Sequence, residues 1–262
     1  MSTLPRQQGE HFIVTGAGTG IGQAIALRLA QEGARLSLLA RDTDRLATTA
    51  RLAIQAGAAA VHHGPCDLRD RASVDRAINE ATRALGPLRG IVANAGIGGP
   101  NAPGPEDRFD DLVQTNLVGT YSSLRAAQRH LVAGPSLRHM VVISSVLGRF
   151  GVPGYTGYCA SKAALLGLVR ALAVELAPDH VQVNALCPGW VDTEMSRQGI
   201  ARMAKAMGSS FDQALATAMQ AVPAGRMSKP EEVAGVVAWL LSRDARGVTG
   251  QGIDVNGGAW MG

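Results

Sequence analysis

Aromatic side chains are scarce in this chain of 262 residues, at 4%, while hydrophobic residues make up 46% and Gly alone numbers 32. A composition so poor in rings suits close packing of helices on a sheet better than an aromatic-rich sandwich. Cysteine is nearly missing as well. Cys66, Cys159 and Cys187 show no CxxC or metal-ligand spacing, and their odd number argues against a disulfide framework. A reducing cytoplasm is the compartment that fits. Nowhere do 18 uncharged apolar residues run together, and the opening MSTLPRQQGE contains no apolar stretch of the signal-peptide kind. The expectation is a soluble, cytoplasmic protein without a membrane partner. Clusters of Lys and Arg interleaved with aromatics are also lacking, which disfavours nucleic acid. His62, His63 and His139 have no metal-like spacing and read as loop or strand residues, so no metal site is expected.

What remains is a net charge of +4, carried mostly by arginine, and a regular alternation of apolar runs with helical patterns. The positive balance permits anionic ligands such as phosphorylated cofactors or acyl-CoA. His11 to Thr15 reads as a first strand, TGAGTGIG as a turn, and the following segment as a helix ending near Gly33. RLSLLA, AAVHHGPCDL, RGIVANAG, HMVVISS, VQVNALCPG and QGIDVNGG supply further strands, with helical patterns between them. GGPNAPGP, residues 98–105, is too rich in Gly and Pro for either element and reads as a loop. Helices are predicted from about Glu106 to Val132, through Tyr158 to about Ala177, and across residues 194–222. Strand–helix units of about 30 residues predict an α/β, Rossmann-type, doubly wound parallel sheet of about seven strands. No linker or composition break divides it, so residues 1–262 are expected to form one domain.

Two stretches suggest chemistry. Gly16, Gly18, Gly20 and Gly22 lie between the first strand and its helix, where glycines let main-chain N–H groups and the helix N-terminus approach a pyrophosphate. The spacing is not GxGxxG, because Ile21 stands where the third glycine would be. A merely structural turn is the other reading, and the placement after a strand and before a helix counts against it. Further on, Ser145 ends a strand, and Tyr158 and Lys162 stand one helical turn apart. Residues at i and i+4 lie about 5–6 Å apart at Cβ, so a phenol and an ammonium become neighbours. A free tyrosine titrates near about 10, and a cation beside it would lower that and make it useful in proton transfer. On its own such a pair is also an ordinary amphipathic-helix pair.

Taken together, TGAGTGIG, ANAG at 93–96, Asn116 in NLVG, Ser145, YCASK at 158–162 and PGWVDT at 188–193 resemble, in order and spacing, the short-chain dehydrogenases/reductases of the TGxxxGxG type. The resemblance spans about His11 to Gly258 and is nearest to 3-oxoacyl-carrier-protein reductases and polyketide ketoreductases. It implies a reversible oxidoreductase of carbonyls and alcohols. Tyr158 would exchange a proton with the substrate oxygen, Lys162 would lower its pKa and bind the nicotinamide ribose, and Ser145 would hydrogen-bond that oxygen. Asn116 would anchor a water linking Lys162 to solvent. Gly16, Gly18, Thr19, Gly20, Ile21 and Gly22 would form the diphosphate turn. Asp67, with Leu68, would meet the adenine, and Asn94, with Ala95 and Gly96, the adenosine ribose. Pro188, Gly189, Val191 and Thr193 would hold the nicotinamide end. The family usually writes NNAG, and Ala93 here removes one polar side chain.

Cofactor choice turns on the end of the second strand, about 20 residues past the glycines, where an NAD ribose is usually gripped by an acid. The residue here is Ala40, followed by Arg41, whose guanidinium can pair with a 2′-phosphate, so NADP(H) is favoured over NAD(H). The other reading makes Arg41 a solvated loop residue, with Asp42 on an NAD ribose rather than capping a helix. Val146, Leu147, Tyr155 and Trp190, the 98–105 loop and a Met-rich lid over 194–222 are expected to select the substrate. Cys159 is expected to be a small buried hydrophobe. Nothing charged in these stretches announces a carboxylate substrate. Arg125, Arg129 and Arg138 are expected to be solvated surface residues, with a docking face for a CoA or carrier-protein thioester as the other reading. The resemblance also implies a homotetramer with the Tyr158 helix at an interface. An NAD-dependent secondary-alcohol dehydrogenase and a non-catalytic dinucleotide-binding regulator are the competing functions.

Overall fold

The computed structural model describes residues 6–262; residues 1–5, half of the opening segment without an apolar run, lie outside the described residues. The chain alternates as expected: β1 (His11–Thr15), α1 (Gly20–Gln31), β2 (Arg35–Ala40), α2 (Thr43–Ala56), β3 (Ala60–Pro65), α3 (Arg71–Leu85) and β4 (Gly90–Ala93). There follow α4 (Phe109–Val113), α5 (Gly119–Gln128), β5 (Arg138–Ile143), α6 (Thr156–Leu176), β6 (Val181–Pro188), α7 (Glu194–Met207), α8 (Phe211–Gln220), α9 (Pro230–Leu240) and β7 (Gly252–Val255). Seven parallel strands form one sheet in the order β3-β2-β1-β4-β5-β6-β7.

Every residue of β1, β4, β5 and β6 is buried, because helices cover both faces of the sheet. This explains the apolar runs Phe12–Val14, Ile91–Ala93 and Met140–Ile143, while β6 buries the polar Gln182 and Asn184 among its apolar residues. Strand alternation sorts the core into two halves: Phe12 and Val14 face α1, α2 and α9, whereas Ile13 faces α3, α5 and α6. Each fully buried large side chain contributes about 1.5–3 kcal/mol, so the centre of the sheet is the firmest part of the molecule. The strand order reverses between β1 and β4, and the C-terminal ends of these two strands open the crevice in which ligands of such sheets sit.

Two elements depart from the sequence pattern. The helix expected from Glu106 to Val132 begins only at Phe109 and is interrupted by a π-helical turn, Gln114–Val118, which buries Thr115 and Asn116. Periodicity cannot reveal such a turn, since one extra residue per turn leaves the apolar pattern on either side intact. The lid expected over 194–222 is two helices. Gly208, at φ 62°, ends α7, and Ser210 with Gln213 forms a capping box for α8. Ile200, Ala204, Ala214, Ala218, Met219 and Val222 join these helices into a small core of their own, with Met203, Phe211 and Trp190 against it.

Candidate active site

The turn after β1 is shaped by contacts that only glycine permits. A Cβ on Gly22 would stand 2.2 Å from Gly16 O and 2.5 Å from Asn94 Nδ2, and Gly16 itself has φ 66°. The turn is tied to β4 by Asn94, whose side-chain amide donates to Thr15 O (3.0 Å) and Gly16 O (3.2 Å). The N–H groups of Asn94 and Ala95 both donate to Thr15 Oγ1 at 3.1 Å. The side-chain amide of Asn94 thus ties the turn to β4. Ala93, where the family writes asparagine, is buried in the core.

A cavity of about 720 Å³ runs from this turn across the sheet edge. All the residues expected to hold a dinucleotide, from Gly16 through Arg41, Asp67, Leu68 and Gly96 to Pro188, Val191 and Thr193, line it, together with Ser145, Tyr158 and Lys162. Arg41 is exposed at its rim. Asp42 caps α2 by accepting from Arg45 N (3.0 Å) and pairs with the Arg45 guanidinium at 3.2 Å. Asp67 is held at a pKa of about 2, chiefly by the hydrogen bond from the Arg69 side chain. A cradle that a single Cβ would fill, and the buried Thr115 Oγ1 on the wall with no hydrogen-bond partner among the described residues, fit a polar ligand of dinucleotide kind.

At the other end, Ser145 follows β5 in extended backbone, and its Oγ accepts from Leu147 N (3.1 Å). Ser144 Oγ donates to Lys162 O (2.8 Å), and a Cβ on Gly148 would stand 3.0 Å from that same carbonyl. The turn after β5 is thus pressed onto α6 at the level of Lys162. Lys162 Nζ donates to Ile143 O (2.9 Å) and lies 5.8 Å from the centre of the Tyr158 ring. Burial pulls the ammonium down to about 8. Burial also raises Tyr158 above the usual phenol value, and the Ser145 hydroxyl draws it only partly back. The expected lowering of Tyr158 by Lys162 is therefore not met. Burial is the leading influence on the phenol, and the Lys162 ammonium is turned toward the Ile143 carbonyl.

Asn116 is fully buried in the π-turn. Its Oδ1 accepts from Ile97 N (2.8 Å), and its Nδ2 donates to Ile97 O (3.0 Å) and Ser161 Oγ (3.1 Å). The Asn116 side chain thus ties the segment after Gly96 to α6.

On the substrate side, Val146 is buried, Leu147 and Tyr155 are half-buried, and Trp190 packs 3.3 Å from a Cβ position on Gly199. None of these four lines the cavity, whereas Met195 does. Cys159 is half-buried instead of buried, because it stands beside the outward face of α6. The three arginines, expected to be solvated or to form a docking face, are occupied. Arg125 pairs with Glu175 (2.6 Å), Arg129 pairs with Asp75, and Arg138 donates to Val132 O (2.7 Å) and Asp179 O. Sequence reasoning missed Thr115 and Arg45. Arg45 falls one helical turn after Arg41, a spacing that could have exposed it, and it reaches Glu194 of α7 (3.0 Å) across the mouth of the cavity.

The family model described as enoyl-(acyl carrier protein) reductase matches residues 16–259. The 3-oxoacyl-[acyl-carrier-protein] reductase MabA of Mycobacterium tuberculosis is 34% identical over 252 residues, covering 95% of this chain and 92% of that protein. The chain belongs to the short-chain dehydrogenase/reductase family. Among solved members of that family, a variant of actinorhodin polyketide ketoreductase with NADPH is 33% identical, with a TM-score of 0.89 and 99% of both chains covered. Levodione reductase is 30% identical, with a TM-score of 0.88 over 97% of this chain and 98% of that one. As a short-chain dehydrogenase/reductase, the protein is an oxidoreductase that interconverts carbonyl and alcohol groups.

Proposed function

We propose that the protein is an NADP(H)-dependent reductase of ketones or 3-oxoacyl-type carbonyls, reversible toward the secondary alcohol. What supports the chemical half is the placement of Ser145, Tyr158 and Lys162 at one end of the cavity whose other end is the glycine turn. A dihydronicotinamide held by Gly189, Val191, Thr193 and Lys162 supplies a hydride and no proton. Tyr158, kept neutral by burial, gives its proton to the carbonyl oxygen as the new C–H bond forms, while Ser145 donates a hydrogen bond to that oxygen. In the reverse direction the phenolate takes the proton back. Cofactor choice is supported by Arg41 at the cavity rim and by Asp42, whose oxygens are taken up by Arg45 N and the Arg45 guanidinium. The NAD-dependent alternative needs Asp42 on a ribose and has less to stand on. A regulator without catalysis needs no proton donor, so Ser145 and Tyr158 count against it.

The names of the relatives make a carrier-protein thioester one reasonable substrate form, with a CoA thioester as its chemical analogue. The cytoplasm is the proposed compartment. The proposed homotetramer is supported by the outward face of α6, where Ala163, Ala164, Gly167, Ala171 and Val174 are exposed in a stripe of small side chains. The decisive experiment follows NADPH oxidation spectrophotometrically over a panel of ketones, 3-oxo thioesters and secondary alcohols. Tyr158→Phe should lower turnover by about 10²–10⁴-fold while still binding cofactor in a fluorescence titration. Wild-type turnover in that variant would refute the proton-donor assignment.

A further inference from the structure

The loop between β4 and α4 leaves the site through Gly98 and Gly99. A Cβ on Gly98 would stand 3.7 Å from Tyr158 Cε2 and 2.9 Å from Met195 Sδ, so this backbone lies between the phenol and α7. A Cβ on Gly99 would stand 3.1 Å from Arg108 Nη1 and 4.0 Å from Arg202 Nη2. Two guanidinium groups, one ahead of α4 and one on α7, converge on a single peptide beside the tyrosine. Arg108 Nη1 also lies 3.5 Å from Gly98 O. The reach of one residue then puts that nitrogen roughly 10 Å or less from the Tyr158 ring.

Several carboxylates near this pair are engaged elsewhere, while Glu106 and Asp110, which flank Arg108 in the chain, are exposed. Asp192 is held by Arg197 at 2.7 Å and Glu194 by Arg45 at 3.0 Å. Asp111 reaches Arg108 only at 3.8 Å and is shared with Arg69 at 3.8 Å. Among the described residues no carboxylate lies within ion-pair distance of Arg202. Two like charges aimed at one spot repel, and an oxyanion that accepts from both removes the repulsion while using the planar forks in their preferred way.

We propose that Arg108 and Arg202 clamp an oxyanion of the substrate itself, a carboxylate or phosphonate-like group a few bonds from the reacting carbonyl. The substrate class is then a short oxo acid and its hydroxy acid. This rests on the carbonyl-reductase reading and narrows it. Proximity to Tyr158 decides between anions. A thioester presents neutral sulfur and amides at this distance, and its phosphate lies at the far end of a long arm. Because Arg202 belongs to α7 and Arg108 does not, the bound anion also ties that helix to the loop.

The test measures kcat/KM with NADPH for acetoacetate, 4-oxopentanoate and 5-oxohexanoate against their methyl esters, with a phosphonate analogue and an N-acetylcysteamine 3-oxo thioester as further arms. At one chain length or more the acid should exceed its ester roughly tenfold or more. Arg108→Gln with Arg202→Gln should lower that ratio by a similar factor, through KM of the acid. Arg243→Gln, an exposed charge removed on the chain segment before β7, should keep the wild-type ratio. Preference for the phosphonate over the carboxylate supports the clamp and identifies a tetrahedral group. Turnover of esters and thioesters but not of acids, or a ratio unmoved in the double variant, overturns the clamp and leaves the oxidoreductase reading standing. Reduction of no carbonyl at all overturns both.

Discussion

Acidification should unfold this protein through two histidines that take no part in the reaction. His11 in β1 and His139 in β5 are buried, and each is pushed down to about 4 from an ordinary value of 6.5. For His11, burial is the main cause, although Nδ1 lies 2.8 Å from Gly86 O and Nε2 lies 2.8 Å from Ser37 Oγ. For His139, burial again leads, the Arg89 cation adds to it, and Nδ1 has no hydrogen-bond partner among the described residues. Above the unfolded value both states carry neutral rings, so stability does not vary there on their account. Below it the unfolded chain binds protons that the folded chain refuses, and stability falls until pH reaches the folded value. At pH 5 the loss is about 2 kcal/mol for each histidine, or about 4 for both, from about 1.4 kcal/mol per unit of difference. That is a large part of the 5–15 kcal/mol typical of a folded protein. Urea unfolding at pH 8, 6 and 5 measures it. The carboxylates hardly contribute in this window, since their unfolded values lie near or below about 4.5. His11→Gln with His139→Gln should remove most of the slope, with His62 and His130, also lowered by burial, accounting for the residue. A double variant with the wild-type slope would refute the reasoning, and titration of the two rings in the intact protein by NMR gives an independent reading of the same values.

Three further outcomes concern the site. Arg41→Ala should reduce the preference for NADPH over NADH by about ten- to a hundredfold, the equivalent of one charge-assisted hydrogen bond at about 1.5–3 kcal/mol; paired fluorescence titrations read the ratio, and an unchanged ratio removes Arg41 from cofactor choice. Gly22→Ala places a Cβ 2.2 Å from Gly16 O, so cofactor binding by calorimetry should be lost or displaced to much weaker affinity, and wild-type affinity would mean that the turn is not the cradle. Because burial raises Tyr158, alcohol oxidation, which needs the phenolate, should climb with pH beyond 8, whereas carbonyl reduction, which needs the phenol, should not; an oxidation profile flat from about pH 7 to 10 would contradict the assigned roles.

The sheet was legible because β1, β4, β5 and β6 are buried on both faces, and two-sided burial writes itself as strands rich in apolar residues, with only a few polar ones such as His139, Gln182 and Asn184 among them. The glycine turn and the Tyr158–Lys162 spacing were legible for a similar reason, since steric exclusion and the helical repeat are local. Most of what escaped depends on contacts between distant segments. The π-turn under Asn116 and the occupation of Arg125, Arg129 and Arg138 by carboxylates and carbonyls have no local signature, whereas the division of residues 194–222 is written locally, in Gly208 followed by Ser210 and Gln213. The pKa of Tyr158 went the other way because one-dimensional spacing shows that a cation is near, but not that burial is the leading influence on the phenol or that Lys162 turns to Ile143.

The contact between Arg45 and Glu194 sets how a ligand as long as the cavity gets in. Its two side chains are 51% and 59% exposed, and a pair so open to water contributes only about 0–1 kcal/mol. At the middle of that range roughly a third of the molecules have the contact broken at any instant. Opening this contact needs no rare event, and added salt should weaken it further.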